Sequence, residues 1–141
     1  MKTYVATIAL ILTTFICPVA PAAEQQEYYP SEVEAKYPAA FRSWQRIVPD
    51  NLRRFTWLSL FHGLGGPRET IYKDKRRGFL GWVCKQHDCG NNQASFLIAE
   101  DGSEAYGLVR SAEASGGMDL FLGDPDEGVK ELLVKEIEDR S

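Results

Sequence analysis

Two segments of the chain carry apolar residues at the spacing of an amphipathic helix. The first begins at Pro38-Ala39-Ala40 and ends before Pro49, and its apolar residues are Phe41, Trp44, Ile47 and Val48. The second runs from Val129 to Ile137 after Asp126, and its apolar side holds Leu132, Leu133 and Ile137. The pattern predicts a helix in each segment, packed against the rest of the protein through its apolar face.

Between these segments the apolar residues form short runs that are typical of β-strands and are separated by turn residues. The predicted strands are Thr56 to Phe61, Thr70 to Tyr72, Phe79 to Cys84, Ala94 to Ala99 and Tyr106 to Val109. Asp101-Gly102 lies between the last two runs, and glycine tolerates the positive φ of a tight hairpin turn, so these two strands should be antiparallel neighbours. Together the elements predict an α+β fold: an antiparallel sheet of about five strands, helices against one face, and a protruding loop.

The first residues have the organisation of a secretory signal peptide. Lys2 provides a positive charge, Val5 to Ile16 is an apolar stretch, and Ala20-Pro21-Ala22 offers a cleavage site. Residues 1–22 are therefore expected to be removed on export, which would leave 23–141 as a single domain in the periplasm. Cys17 follows Phe15 and Ile16 rather than small residues, so we do not expect lipid attachment there, nor a stable membrane anchor.

Charge narrows the class of partner. The chain has 16 basic and 20 acidic residues, and loss of Lys2 with the leader leaves 15 against 20, a net charge of −5. An acidic surface disfavours binding to nucleic acid and is compatible with a basic protein partner, because long-range attraction speeds encounter.

One hexapeptide carries the candidate chemistry: Cys84-Lys85-Gln86-His87-Asp88-Cys89, between two predicted strands. Two cysteines in an exported chain are expected to pair, and four intervening residues leave enough backbone for a disulfide. Every residue inside the ring is polar, so the ring should project into solvent as a rigid loop. His87 near its tip would offer N–H donors to a carboxylate-lined receptor, and Asp88 beside it would fix the imidazole tautomer.

The composition of the hexapeptide is also compatible with two other interpretations. The same residues would make an ordinary surface hairpin closed by a disulfide. Cys84, His87 and Cys89 would alternatively ligate zinc in a periplasmic metal-binding module, although oxidised cysteines cannot serve as thiolate ligands. No catalytic residue is predicted, because no nucleophile with a neighbouring base is evident, and no cofactor is expected.

The string from Val83 to Gly90 resembles the C-K-P-H-D-C loop of the inhibitor of vertebrate lysozyme family, called Ivy. Weaker likeness extends over residues 38–110, at Ala39-Ala40-Phe41, at Trp57 and at Tyr106-Gly107-Leu108. This sequence departs from the family pattern at Gln86, where the family has proline, and its acidic tail after Ser111 has no clear counterpart.

The resemblance implies a periplasmic, non-enzymatic inhibitor of c-type lysozyme that protects bacteria from host defence. A loop closed by Cys84 and Cys89 would enter the substrate cleft, where His87 would hydrogen-bond both catalytic carboxylates. Asp88 would orient His87, and Lys85 and Gln86 would be flanking contacts. The resemblance also implies a possible homodimer and, as alternative targets, the cell's own lytic transglycosylases.

Overall fold

The computed structural model describes residues 29–140, so the predicted signal peptide lies outside the described residues. The helices are α1 (Pro30–Lys36), α2 (Pro38–Ile47), α3 (Thr56–Ser59) and α4 (Glu127–Glu138), with a 3₁₀ turn at Asp50–Leu52. The strands are β1 (Leu64–Gly65), β2 (Arg68–Tyr72), β3 (Arg76–Cys84), β4 (Asn92–Ala99), β5 (Ala105–Ser111) and β6 (Asp119–Leu122). The predicted α+β fold is confirmed.

All strand pairs of the sheet are antiparallel, and β3 and β4 lie at its centre. The order is β1-β3-β4-β5-β6, and β2 pairs with β3 beside β1, so that β1 and β2 together form one edge. The pairing of Ile98 with Ala105 closes the β4–β5 hairpin, where Gly102 has φ +73°. The hairpin predicted at Asp101-Gly102 is therefore confirmed.

Two loops lie at the same end of this sheet. One joins the last residue of β3, Cys84, to the first residue of β4, Asn92. The other, residues 112–118, joins β5 to β6 and is called the 112–118 segment below. Asn92 pairs with Ser111, and Arg110 pairs with Asp119, so the antiparallel register brings the two loops side by side.

Helices cover both faces of the sheet, so the expectation of helices against one face is wrong. Phe96 and Leu97 point to opposite faces of β4, as successive strand residues do, and both are buried. Phe96 packs in a cluster with Trp44 of α2, whereas Leu97 packs in a second cluster with Leu133 of α4. Because β4 is apolar on both sides, each face requires its own cover.

The prediction of a strand from Thr56 to Phe61 is wrong, because this segment contains helix α3. Its two aromatic residues and Leu58 are buried, and the carbonyl oxygen of Leu58 accepts a 2.9 Å hydrogen bond from Trp44 Nε1. A short apolar run has no periodicity long enough to separate a strand from a buried helical turn. The sequence reasoning also omitted α1, β1 and β6, which are short or largely polar.

Helix α4 follows Asp126, as predicted, and begins at Glu127. Asp126 is its N-cap and makes a pH-dependent contribution to stability. One Asp126 carboxylate oxygen lies 2.6 Å from Lys73 Nζ, and the other accepts a 2.9 Å bond from the Val129 N–H. The ammonium of Lys73, and then this backbone bond, lower the pKa of Asp126. A lowered folded-state pKa means that the carboxylate stabilises the fold above its unfolded-state pKa, and that this contribution is lost as the pH falls further.

We therefore expect Asp126→Asn, which keeps a capping oxygen but removes the charge, to unfold at a lower temperature than the wild type at neutral pH. The difference in Tm should shrink as the pH falls below about 4, where the carboxylate of the unfolded chain becomes protonated, and should be lost once the folded-state carboxylate is protonated as well. Thermal unfolding followed by circular dichroism across the acid range checks this. A difference that stays constant down to the acid limit would contradict it.

Candidate functional site

A disulfide closes the loop between the two central strands. Cys84 and Cys89 are bonded, with their Cα atoms 4.9 Å apart, which confirms the pairing predicted from sequence. Cys84 is completely buried at the end of β3, so the ring is fixed directly to the core. In the chain-entropy model, closing so short a ring stabilises the fold by about 2 kcal/mol.

The tip of the Cys84–Cys89 loop is a tight turn that exposes Gln86 and His87. The N–H of Asp88 donates a 3.0 Å bond to the carbonyl of Lys85, and His87 has φ +66° in the left-handed region. Positive φ at the third residue alone is the geometry of a type II turn. A non-glycine residue there costs about 1 kcal/mol, a strain that the surrounding contacts maintain.

Asp88 fixes the base of this turn. Its two carboxylate oxygens accept hydrogen bonds from the side-chain amides of Asn91 and Asn92, each 2.7 Å long. Its carbonyl oxygen also accepts the N–H of Asn92, at 3.0 Å. Within residues 29–140 no hydrogen bond or ion pair engages the His87 imidazole, so Asp88 holds the loop backbone rather than the tautomer of His87.

Asn92 joins the loop to the 112–118 segment. Its side chain is only 2% exposed, and its amide oxygen accepts hydrogen bonds from Ser111 Oγ and from the Glu113 N–H, the latter at 3.3 Å. Next to it, the N–H of Ala112 donates a 2.8 Å bond to the carbonyl of Asn91. The two loops therefore form one continuous, hydrogen-bonded surface.

Lys85 is held on the same surface by an ion pair. Its Nζ lies 2.8 Å from Glu113 Oε2, and the other oxygen of this carboxylate accepts a 3.2 Å bond from Trp57 Nε1. The bond to Glu113 raises the pKa of Lys85. Of the four residues predicted as contacts, Gln86 and His87 thus project outward, whereas Lys85 and Asp88 are engaged within the protein.

The anchoring residues were missed by sequence reasoning. Asn92, Ser111, Glu113 and Trp57 come from four different elements or loops, and no motif connects them along the chain. The only available signal was the turn-prone Gly90-Asn91-Asn92 that follows the second cysteine. Hydrogen-bonding side chains that are far apart in sequence meet only once the sheet register is known.

The described residues contain neither the alternative zinc site nor a membrane-spanning helix. The disulfide uses both sulfur atoms that a zinc site of Cys84, His87 and Cys89 would need. Among residues 29–140, no three His, Cys, Asp or Glu side chains are grouped so that they could hold a metal ion. No helix within the same range combines the length and the apolarity needed to cross a bilayer.

Comparison with known proteins gives two distant relatives, while no family model matches the chain. A protein of Yersinia pestis, described as uncharacterized, is 28% identical over 104 residues, covering 67% of this chain and 68% of the relative. A Pseudomonas aeruginosa protein named inhibitor of vertebrate lysozyme is 30% identical over 92 residues, or 58% of this chain and 60% of the relative. The resemblance inferred from the loop motif is thus confirmed by a relative that bears the family's name.

Proposed function

We propose that this protein is an exported inhibitor of c-type lysozyme that inserts the Cys84–Cys89 loop into the catalytic cleft, with His87 leading. The observation that carries this proposal is the exposed imidazole at the tip of a closed and anchored loop. Similarity to the Pseudomonas aeruginosa inhibitor of vertebrate lysozyme supports the choice of target.

The chemistry of His87 matches the site that it would block. Retaining glycosidases hold their two catalytic carboxyl groups about 5 Å apart. An imidazole has a nitrogen on either side of its ring and can donate to two acceptors when protonated. One inserted ring would therefore engage both carboxyl groups, which prevents protonation of the glycosidic oxygen and leaves no room for the polysaccharide.

The rigidity of the loop favours insertion. The disulfide, the Lys85–Glu113 ion pair and the two amides bound to Asp88 already hold the turn in one conformation. Ordering a mobile loop on binding costs about 0.5–1.5 kcal/mol for each immobilised side chain. A loop ordered in advance avoids most of that cost.

The proposed location is the periplasm, after removal of residues 1–22. A disulfide between Cys84 and Cys89 fits an oxidising compartment, where such bonds form and persist.

The acidic chain would also attract a basic enzyme at low ionic strength. In this role the protein is not an enzyme, since the loop acts by occupying a site rather than by turning over a substrate.

The direct test is hydrolysis of bacterial cell walls by a c-type lysozyme, titrated with the purified domain that begins at residue 23. We expect inhibition that is complete near equimolar amounts, with no glycan cleavage by the domain alone. Full lysozyme activity at a large excess of the domain would refute the proposed target. Inhibition of a lytic transglycosylase in a parallel titration would then assign the loop to that enzyme class instead.

The type II turn predicts the effect of restoring the family's proline. Gln86 occupies the second position of this turn, where proline is favoured because its ring fixes φ near −65°. Within residues 29–140, the Gln86 N–H donates no hydrogen bond that proline would remove. We expect Gln86→Pro to raise the free energy of unfolding by about 0.5 kcal/mol and to tighten inhibition about twofold.

Gln86→Ala is the matched control, because it removes the same side chain without fixing φ. Denaturant unfolding and lysozyme titration of both variants make the measurement. Weaker inhibition by Gln86→Pro than by Gln86→Ala would show that the bound loop does not keep the turn seen in the free protein.

A further inference from the structure

We infer that the 112–118 segment is a second contact region for the enzyme blocked by the Cys84–Cys89 loop, and that Met118 packs there against apolar surface at the border of the cleft. This inference rests on the proposed function. It adds to the inserted histidine an apolar contact that lies outside the catalytic site of the target.

The position of the segment is the first argument. The bonds from the Ala112 N–H to the Asn91 carbonyl and from the Glu113 N–H to Asn92 place the segment directly beside the base of the loop. Both leave the same end of the sheet. A partner that receives the tip of the loop therefore faces the 112–118 segment as well.

The segment is also held in one conformation. Its Ser115 and Gly117 N–H groups donate to the carbonyl of Ser111, at 3.0 and 2.8 Å. Where β5 and β6 flank the segment, the guanidinium of Arg110 donates hydrogen bonds of 2.7 and 2.9 Å to the carboxylate of Asp119. This guanidinium lowers the pKa of Asp119. A contact on such a segment loses little conformational entropy on binding.

The 112–118 segment exposes one large apolar side chain. Met118 is 72% exposed. The two residues before it are Gly116 and Gly117, both at positive φ, with no atoms of other residues near the position of a Cβ. Methionine is enriched in protein interfaces because its flexible, polarizable side chain adapts to the partner's surface.

Interface size gives the last argument. A stable protein complex contacts about 20–30 residues on each partner, whereas the ring contains four residues between its cysteines. Tight inhibition therefore requires further surface next to the loop. Within the described residues, the 112–118 segment is joined to the loop by hydrogen bonds and presents a large exposed apolar side chain.

The test compares Met118→Ser with Ile71→Ser in the domain beginning at residue 23. Ile71 is a matched control, because it is 71% exposed but lies on β2, at the far edge of the sheet from β6. Binding to immobilised c-type lysozyme gives association and dissociation rates for both variants and for His87→Ala. We expect Met118→Ser to raise Kd about tenfold, chiefly through faster dissociation, while its Tm stays the same. The Kd of Ile71→Ser should equal that of the wild type.

The outcomes separate this inference from the proposed function. Wild-type affinity of Met118→Ser, together with strong loss of binding by His87→Ala, would overturn the second contact and leave the inserted loop intact. An equal loss by Ile71→Ser would also overturn it, since that would reflect general exposed hydrophobicity. No binding by the wild type would overturn both.

Discussion

We expect replacement of His87 by glycine to weaken the proposed inhibition of c-type lysozyme by about a hundredfold, the effect of removing a central interface contact, while the protein stays folded. The imidazole is exposed and engages no group within residues 29–140, so its loss removes nothing from the core. Glycine also adopts the observed φ of +66° without strain. We therefore expect Tm to stay the same or to rise.

Two further variants test whether the effect belongs to the imidazole of His87. His87→Asn tolerates positive φ and keeps a hydrogen-bonding group, but its shorter side chain reaches less deeply, so we expect an intermediate loss of inhibition. His62→Ala, at an exposed histidine outside the loop, should inhibit like the wild type. Wild-type potency of His87→Gly would show that the imidazole is not the inserted group.

We expect Asn92→Ala to destabilise the protein by about 2–3 kcal/mol and also to weaken the proposed inhibition, because one buried amide holds both loops. Its loss leaves the Glu113 N–H and one oxygen of Asp88 without their partners, and removes an acceptor from Ser111. Buried polar groups left unsatisfied cost more than the bond itself contributed. Denaturant unfolding measures the first effect and lysozyme titration the second.

Asn91→Ala provides the matched control for Asn92. Asn91 donates to the same carboxylate of Asp88 at the same 2.7 Å, but it is exposed, so water can replace its amide. We expect a loss of less than about 1 kcal/mol. Equal destabilisation by the two variants would mean that the Asp88 contact, and not the buried connection to the 112–118 segment, stabilises this end of the sheet.

Regular periodicity and strong turn signals made much of the fold predictable. The spacing of Phe41, Trp44 and Val48 gave α2, and Asp126 marked the start of α4. Which face of the sheet each helix covers was harder to predict from the sequence. An apolar run in β4 does not say which elements cover its two faces, because that depends on how α2 and α4 return to the sheet.

The candidate site was predictable where it is local in sequence. The spacing of Cys84 and Cys89 and the polar residues between them gave a closed, exposed ring with His87 at its tip. The support of the ring was not predictable, because Asn92 meets Ser111 only through the register of β4 and β5. Asp88 was expected to orient His87, whereas its carboxylate accepts hydrogen bonds from the amides of Asn91 and Asn92, two neighbours that compete with the imidazole for it.

The attachment of the loop to β3 and β4 separates recognition from folding. Gln86 and His87 contribute no side chain to either core cluster, while Cys84 and Asn92, the strand residues on either side of the loop, are buried. Substitutions at these two outward positions therefore leave both core clusters intact and mainly alter what the loop presents. The same frame could accept a different pair of tip residues, so a lineage could change what the loop binds without passing through an unstable intermediate.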